Sequence, residues 1–117
     1  MFLQLNHVNL DIYNVARLFV KLVYQASEDF PVNEKFALTQ QIRRAALSVH
    51  LNIAEGFSRK SEVERKRFFE VSRGSLVELD AALDIASDLN YCSKEKLQEL
   101  GLIMNRCFSM LSKLINH

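Results

Sequence analysis

The sequence predicts an all-α fold, an antiparallel up-down-up-down four-helix bundle built by residues 1–117 as a single domain. Three observations carry this. The chain is 49% apolar and 25% charged but holds only three glycines and one proline, too few turn residues for an all-β chain of this size. Apolar residues recur in steps of three and four along four long stretches, the pattern of helices that each bury one face. The joins are short, which sets consecutive helices side by side and antiparallel. A chain of 117 residues buries roughly two thirds of the surface it exposes when unfolded, enough for one core. At a rise of about 1.5 Å per residue the bundle is about 30 to 40 Å long.

The first helix is expected to be capped by Asn6 or Asn9 and to run to about Ser27. Within 15–24 the charges are Arg17 and Lys21, four apart on one strip. Ile12, Val15, Phe19 and Leu22 make one apolar row, and Tyr13, Ala16, Val20 and Tyr24 another. This arc is wider than a single seam requires, so it meets two neighbours in the fold or extends into a subunit interface; periodicity does not separate the two. Pro31 then biases Phe30 away from helix and marks a turn.

The second helix starts at Asn33 with a short turn, or at Thr39, and is expected to end at Gly56 as a C-terminal glycine. Ile42, Ala45, Ala46, Val49 and Ile53 form its core row. Arg44, Ser48, Asn52 and Glu55 form a second row, and Ser and Asn are poor helix formers that usually serve hydrogen bonding. This row is therefore expected to be partly buried. It either bonds to Ser72, Ser75 and Glu78 across a helix contact, with Arg44 paired to Glu78 or Glu55, or lines a ligand cleft. On the first reading Arg44→Ala strongly lowers stability.

Ser61 and Glu64 have capping-box spacing, so the third helix opens at Glu62 and runs to about Leu89. Gly74 in its middle costs helix stability, which suggests close approach of another backbone. Ser93 caps the fourth helix, whose apolar row is Leu97, Leu100, Met104, Cys107, Phe108, Leu111 and Leu114.

The net charge of +1 supplies no global drive toward nucleic acid or membrane, but the charges are unevenly placed. Residues 43–73 hold eight basic and four acidic side chains; residues 78–88 hold four acids and no base. Arg59, Lys60, Arg65, Lys66, Arg67 and Arg73 cluster around the second loop and the start of the third helix. They form a solvated end of the bundle or an electrostatic footprint for phosphates, with RNA as the candidate ligand. Asp80, Asp84 and Asp88 form an acidic row, a solvated face or a contact for basic residues of another subunit.

Catalysis is not expected. No nucleophile elbow, P-loop or glycine-rich phosphate cradle is present, and His50 falls about 200° around the helix from Ser48. His7, His50, His117, Cys92 and Cys107 stand at no metal-ligand spacing, so neither metal nor cofactor is expected. With no signal-peptide pattern and no apolar run long enough for a bilayer, a cytoplasmic protein with two free thiols is expected.

Phe30, Pro31 and Glu34, then Leu38 and 41–45 (QIRRA), then Ser48, Val49 and 52–56 (NIAEG), then 74–76 (GSL) with Glu78 and Leu79, follow one another in order. In these the chain resembles the four-helix-bundle proteins encoded in intervening sequences of bacterial large-subunit ribosomal RNA genes. His50 departs from the pattern, since relatives often carry proline there, so this helix is expected to lack a kink. The family is similar to the accessory protein of diversity-generating retroelements, a pentameric barrel that binds a reverse transcriptase and nucleic acid. The resemblance implies a homopentamer with a non-enzymatic, RNA-associated role, and structured RNA or a reverse transcriptase-like protein as partner. Two other classes remain open: a protein-interaction module with no nucleic acid, and a small hydrolase built on Ser48 and Glu55.

Overall fold

The computed structural model describes residues 2, 3, 5 and 10–116; Asn6, Asn9, His7 and His117 lie outside the described residues. Four helices form: α1 (Asp11–Ser27), α2 (Leu38–Ser58), α3 (Glu62–Asp88) and α4 (Lys94–Ile115), with a short 3₁₀ turn at Val32–Glu34 before α2. Among the described residues there is no strand. The molecule measures 43 × 30 × 23 Å, its long axis set by the helices.

Each helix packs against its neighbours in sequence, and α1 also closes against α4; the diagonal pairs make no close backbone contact among the described residues. Along the α2–α3 seam the partners run in opposite directions. Gln41 meets Glu78, Ser48 meets Ser75, Val49 meets Ser72 and Gly56 meets Phe69. The core is filled by Phe19 and Val23 of α1, Ile42, Val49 and Ile53 of α2, Leu79 of α3, and Leu100, Cys107 and Leu111 of α4. Burying a large apolar side chain is worth about 1.5–3 kcal/mol, so these positions dominate the driving force. Both apolar rows of α1 are used within the fold, one toward α2 and one toward α4, which accounts for the width of its arc.

Local chemistry sets the helix ends. Ser61 Oγ accepts from the Glu64 N–H at 3.3 Å and Ser93 Oγ from the Lys96 N–H at 3.3 Å, capping α3 and α4. Helix α3 closes on Asn90, whose φ of 61° places it in the left-handed region. The Asn90 N–H donates to Ser87 O and the Tyr91 N–H to Ala86 O at 2.9 Å, the paired bonds of a Schellman motif. Tyr91 then ties this turn to the opposite one, its hydroxyl donating to Glu34 Oε2 at 3.0 Å.

Two expectations about glycine are overturned. Helix α2 does not stop at Gly56 but continues to Ser58, and no glycine has positive φ among the described residues. Gly56 is needed for space: a β-carbon there would lie 2.6 Å from Phe69 Cε1 and 3.2 Å from Phe68 Cβ. Gly74, expected at a close backbone approach, is exposed with nothing within 4 Å of its would-be β-carbon. The flanking Ser72 and Ser75 make the interhelical contacts instead.

Candidate nucleic-acid interface

The α2–α3 loop and the first turns of α3 gather positive charge at one end of the bundle. Helix α2 ends as Arg59 turns extended, and α3 begins three residues later, so residues 59–67 project from this end. Arg59 is held back: its guanidinium pairs with Glu55 Oε1 at 3.0 Å and lies 4.9 Å from the centre of the Phe68 ring. Arg65 Nε donates to the Arg59 carbonyl at 2.6 Å, and Lys66 sits 3.8 Å from Glu62 Oε1. Lys60, Arg65 and Arg67 are exposed and have no carboxylate partner among the described residues.

Arg73 does not join them. It stands two helical turns beyond Lys66, part-buried beside α4, where its Nη1 donates to Ser112 Oγ at 3.1 Å and its guanidinium lies 5.7 Å from the Phe108 ring centre. The structure adds Lys113 of α4, exposed at the same end beside Asp11. Standing far along the chain from residues 59–67, it gives no local sequence signal. Asp80, Asp84 and Asp88 are all exposed on α3 toward its opposite end.

The polar row of α2 divides. Ser48 Oγ and Ser75 Oγ are 2.8 Å apart, Asn52 Nδ2 donates to Ser48 O at 2.8 Å and Ser48 Oγ at 3.0 Å, and Ser75 Oγ donates to Val71 O at 3.1 Å. Because a hydroxyl has one proton and that of Ser75 goes to Val71 O, Ser48 is the donor between the two serines. The result is a directed relay from Asn52 through Ser48 and Ser75 to the α3 backbone. Ser72, fully buried, donates to Val49 O at 2.7 Å.

The outer members fall away from this relay. Arg44 is exposed and forms neither expected pairing: Glu55 is taken by Arg59, and Glu78 accepts from Gln41 Nε2. The reason is angular, since Arg44 points further out than Ser48 and Asn52, so its charge stays in solvent. Glu55 and Glu78 are surface groups as well.

No hydrolytic set is assembled from the residues named for one. Ser48 faces α3, whereas the His50 ring packs against Tyr13 of α1 at 4.6 Å between centroids, and Glu55 bonds Arg59 and Ser58 on the surface. Among the described residues no cluster of three or more His, Cys, Asp or Glu side chains could hold a metal ion. Both cysteines are free thiols, and burial pushes the pKa of Cys107 up to about 11 and raises that of Cys92. Among the described residues no helix is long and apolar enough to cross a membrane.

Fold and surface together define an all-α bundle with a polar seam and a basic cluster at its α2–α3 end. The chain matches the family described as 23S rRNA-intervening sequence protein over residues 8–113, and it belongs to that family. No curated protein matches it. Among solved structures it is similar to a protein of unknown function from the S23 ribosomal protein family of Bacteroides thetaiotaomicron VPI-5482. That match has a TM-score of 0.79 at 18% identity and covers 91% of this chain and 99% of the other. At that identity the likeness speaks for the fold.

Proposed function

We propose that the protein is a non-enzymatic cytoplasmic scaffold that assembles as a homo-oligomer, a pentamer by family resemblance, and binds structured RNA or a ribonucleoprotein through its basic end. The carrying observation is a group of three exposed cations without carboxylate partners among the described residues, Lys60, Arg65 and Arg67, close in sequence at the α2–α3 end of a chain whose net charge is only +1. Such a group attracts phosphates without reading sequence, so recognition rests on RNA shape or on a bound protein, including one of the reverse-transcriptase kind. Assembly into a ring would multiply the footprint. The family's link to ribosomal RNA intervening sequences supports this choice of ligand.

A second reading, a protein-interaction module with no nucleic acid, draws on the outer face of α3. Val63, Val71, Val77 and Ile85 are 72, 49, 58 and 51% exposed there. β-Branched residues are mediocre helix formers, so four of them on a solvent face point to a contact surface. The same face serves the scaffold reading as a subunit contact.

Binding of a labelled RNA stem-loop by wild type and by Lys60→Glu with Arg67→Glu separates the two. The scaffold reading expects the double reversal to weaken binding by about tenfold or more at moderate salt. Equal affinity, or no RNA binding by the wild type, leaves the protein-interaction reading.

A further inference from the structure

At the end of the bundle away from the α2–α3 loop, a cleft of about 290 Å³ opens between the end of α1 and the start of α2. Its lining includes Tyr24, Lys35, Phe36, Thr39, Arg43 and Arg44 and no acidic residue. Thr39, Gln40, Arg43 and Arg44 lie on one face of α2, and Lys35 and Phe36 come from the turn just before it.

The charges here are uncompensated. Arg43 is part-buried, its Nε donating to Ser27 Oγ at 2.8 Å and its Nη2 to Tyr24 O at 3.2 Å, with its guanidinium 4.7 Å from the Tyr24 ring centre. Every one of these partners is neutral, so a partly desolvated positive charge is held in place with several N–H donors to spare. Arg44 and Lys35 are exposed, and Lys35 Nζ lies 5.4 Å from the centre of the Phe36 ring. Of the nearby acids, Asp29 is paired with Lys96, and Glu34 accepts from the Tyr91 hydroxyl through Oε2 and from the Leu38 N–H through Oε1.

One further feature points at an anion. Thr39, which lines the cleft, is 8% exposed, and its Oγ1 is buried without a hydrogen-bond partner among the described residues, a donor left over. Helix α2 begins here on Ala37, and its first N–H, that of Leu38, donates to Glu34 Oε1 at 3.5 Å, so the positive charge of the cleft is that of its Lys and Arg side chains. Phe36, 81% exposed, supplies a flat apolar face beside the charges.

We infer that this cleft binds a nucleotide phosphate, the phosphate held by Lys35, Arg43, Arg44 and the Thr39 hydroxyl, and the base stacked on Phe36. Guanidinium groups suit a phosphate's oxygens through paired N–H donors, and a nucleobase stacks on an aromatic ring without sequence preference. The site is separate from the basic end and does not depend on its role. The nucleotide is a free one or a unit within an RNA strand, the same chemistry in either case.

The test uses the full chain with three probes, 5′-AMP, orthophosphate and adenosine, and calorimetry for affinity. AMP is expected to bind more tightly than orthophosphate, and adenosine not to bind. Lys35→Gln with Arg44→Gln, both surface changes that leave the core intact, should weaken AMP by about tenfold or more. Phe36→Ala should bring AMP down to the affinity of orthophosphate, and Thr39→Val should weaken both anions. Lys60→Glu with Arg67→Glu should leave AMP binding unchanged, so a failed RNA interaction at the other end does not touch this result. Competition by oligoriboadenylate would assign the site to RNA and its absence to free nucleotides. No binding of AMP at millimolar concentration, adenosine binding as well as AMP, or AMP affinity indifferent to the Lys35 and Arg44 changes would overturn the inference.

Discussion

The Phe69 ring occupies the place a side chain on Gly56 would need: a β-carbon there would stand 2.6 Å from Phe69 Cε1. Phe69 is buried and also packs on Phe57 at 4.9 Å between ring centroids, so the ring has little room to yield. Gly56→Ala is therefore expected to destabilise the fold by about 1–3 kcal/mol, the usual cost of overpacking.

Gly74 has the opposite sign. With open space around it on an exposed helix face, Gly74→Ala should stabilise by about 0.5–1 kcal/mol, the helix-propensity difference alone. Urea unfolding of the two variants against wild type checks both; a shift of the midpoint in the same direction for both would contradict this assignment of roles.

The α2–α3 seam gives a second contrast. Ser72→Ala removes the buried bond to Val49 O and should cost about 1 kcal/mol. Arg44→Ala should lie within about 0.5 kcal/mol of wild type, because Arg44 is exposed and has no partner among the described residues. Thermal unfolding of the pair measures this, and a larger loss for Arg44→Ala would show that its charge is engaged after all.

Cys107 makes stability depend on alkaline pH. Burial raises its thiol from the ordinary 9.0 to about 11, because the interior disfavours the thiolate. Its contribution is full below pH 9.0, where both folded and unfolded chains keep the proton, and it is lost as pH climbs to about 11. Over that window the unfolded chain binds fewer protons than the folded one, so stability falls, by an amount on the order of 2 to 3 kcal/mol. Comparing wild type with Cys107→Ala from about pH 8 to about pH 11 isolates this from lysine and tyrosine titration. The wild-type curve should fall more steeply, and parallel curves would sink the idea.

The bundle was legible because its signals are periodic and local. Apolar rows gave the helices, and Ser61 and Ser93 gave two of the caps. Glycine misled because its two uses, a backbone turn and a close approach, look alike in sequence; only the position of Phe69 decides for Gly56. The inner half of the polar row was readable from Ser48 and Asn52, whose residue types demand partners. The outer half was not, since the fate of Arg44 depends on a rotation of a few tens of degrees around α2. Lys35 and Phe36 are not legible beside Thr39, Arg43 and Arg44 because they stand in the turn before α2, where no helical period fixes their direction.

The central claim, an RNA scaffold working through its basic end, is tested most directly by the salt dependence of stem-loop RNA binding. Between about 50 mM and 200 mM salt, log affinity should fall linearly with log salt, with a slope on the order of −3 for a footprint of three cations per protomer, and steeper in an oligomer. Lys60→Glu with Arg67→Glu should flatten that slope. Affinity that does not change with salt, or a slope the double reversal leaves alone, would contradict the account.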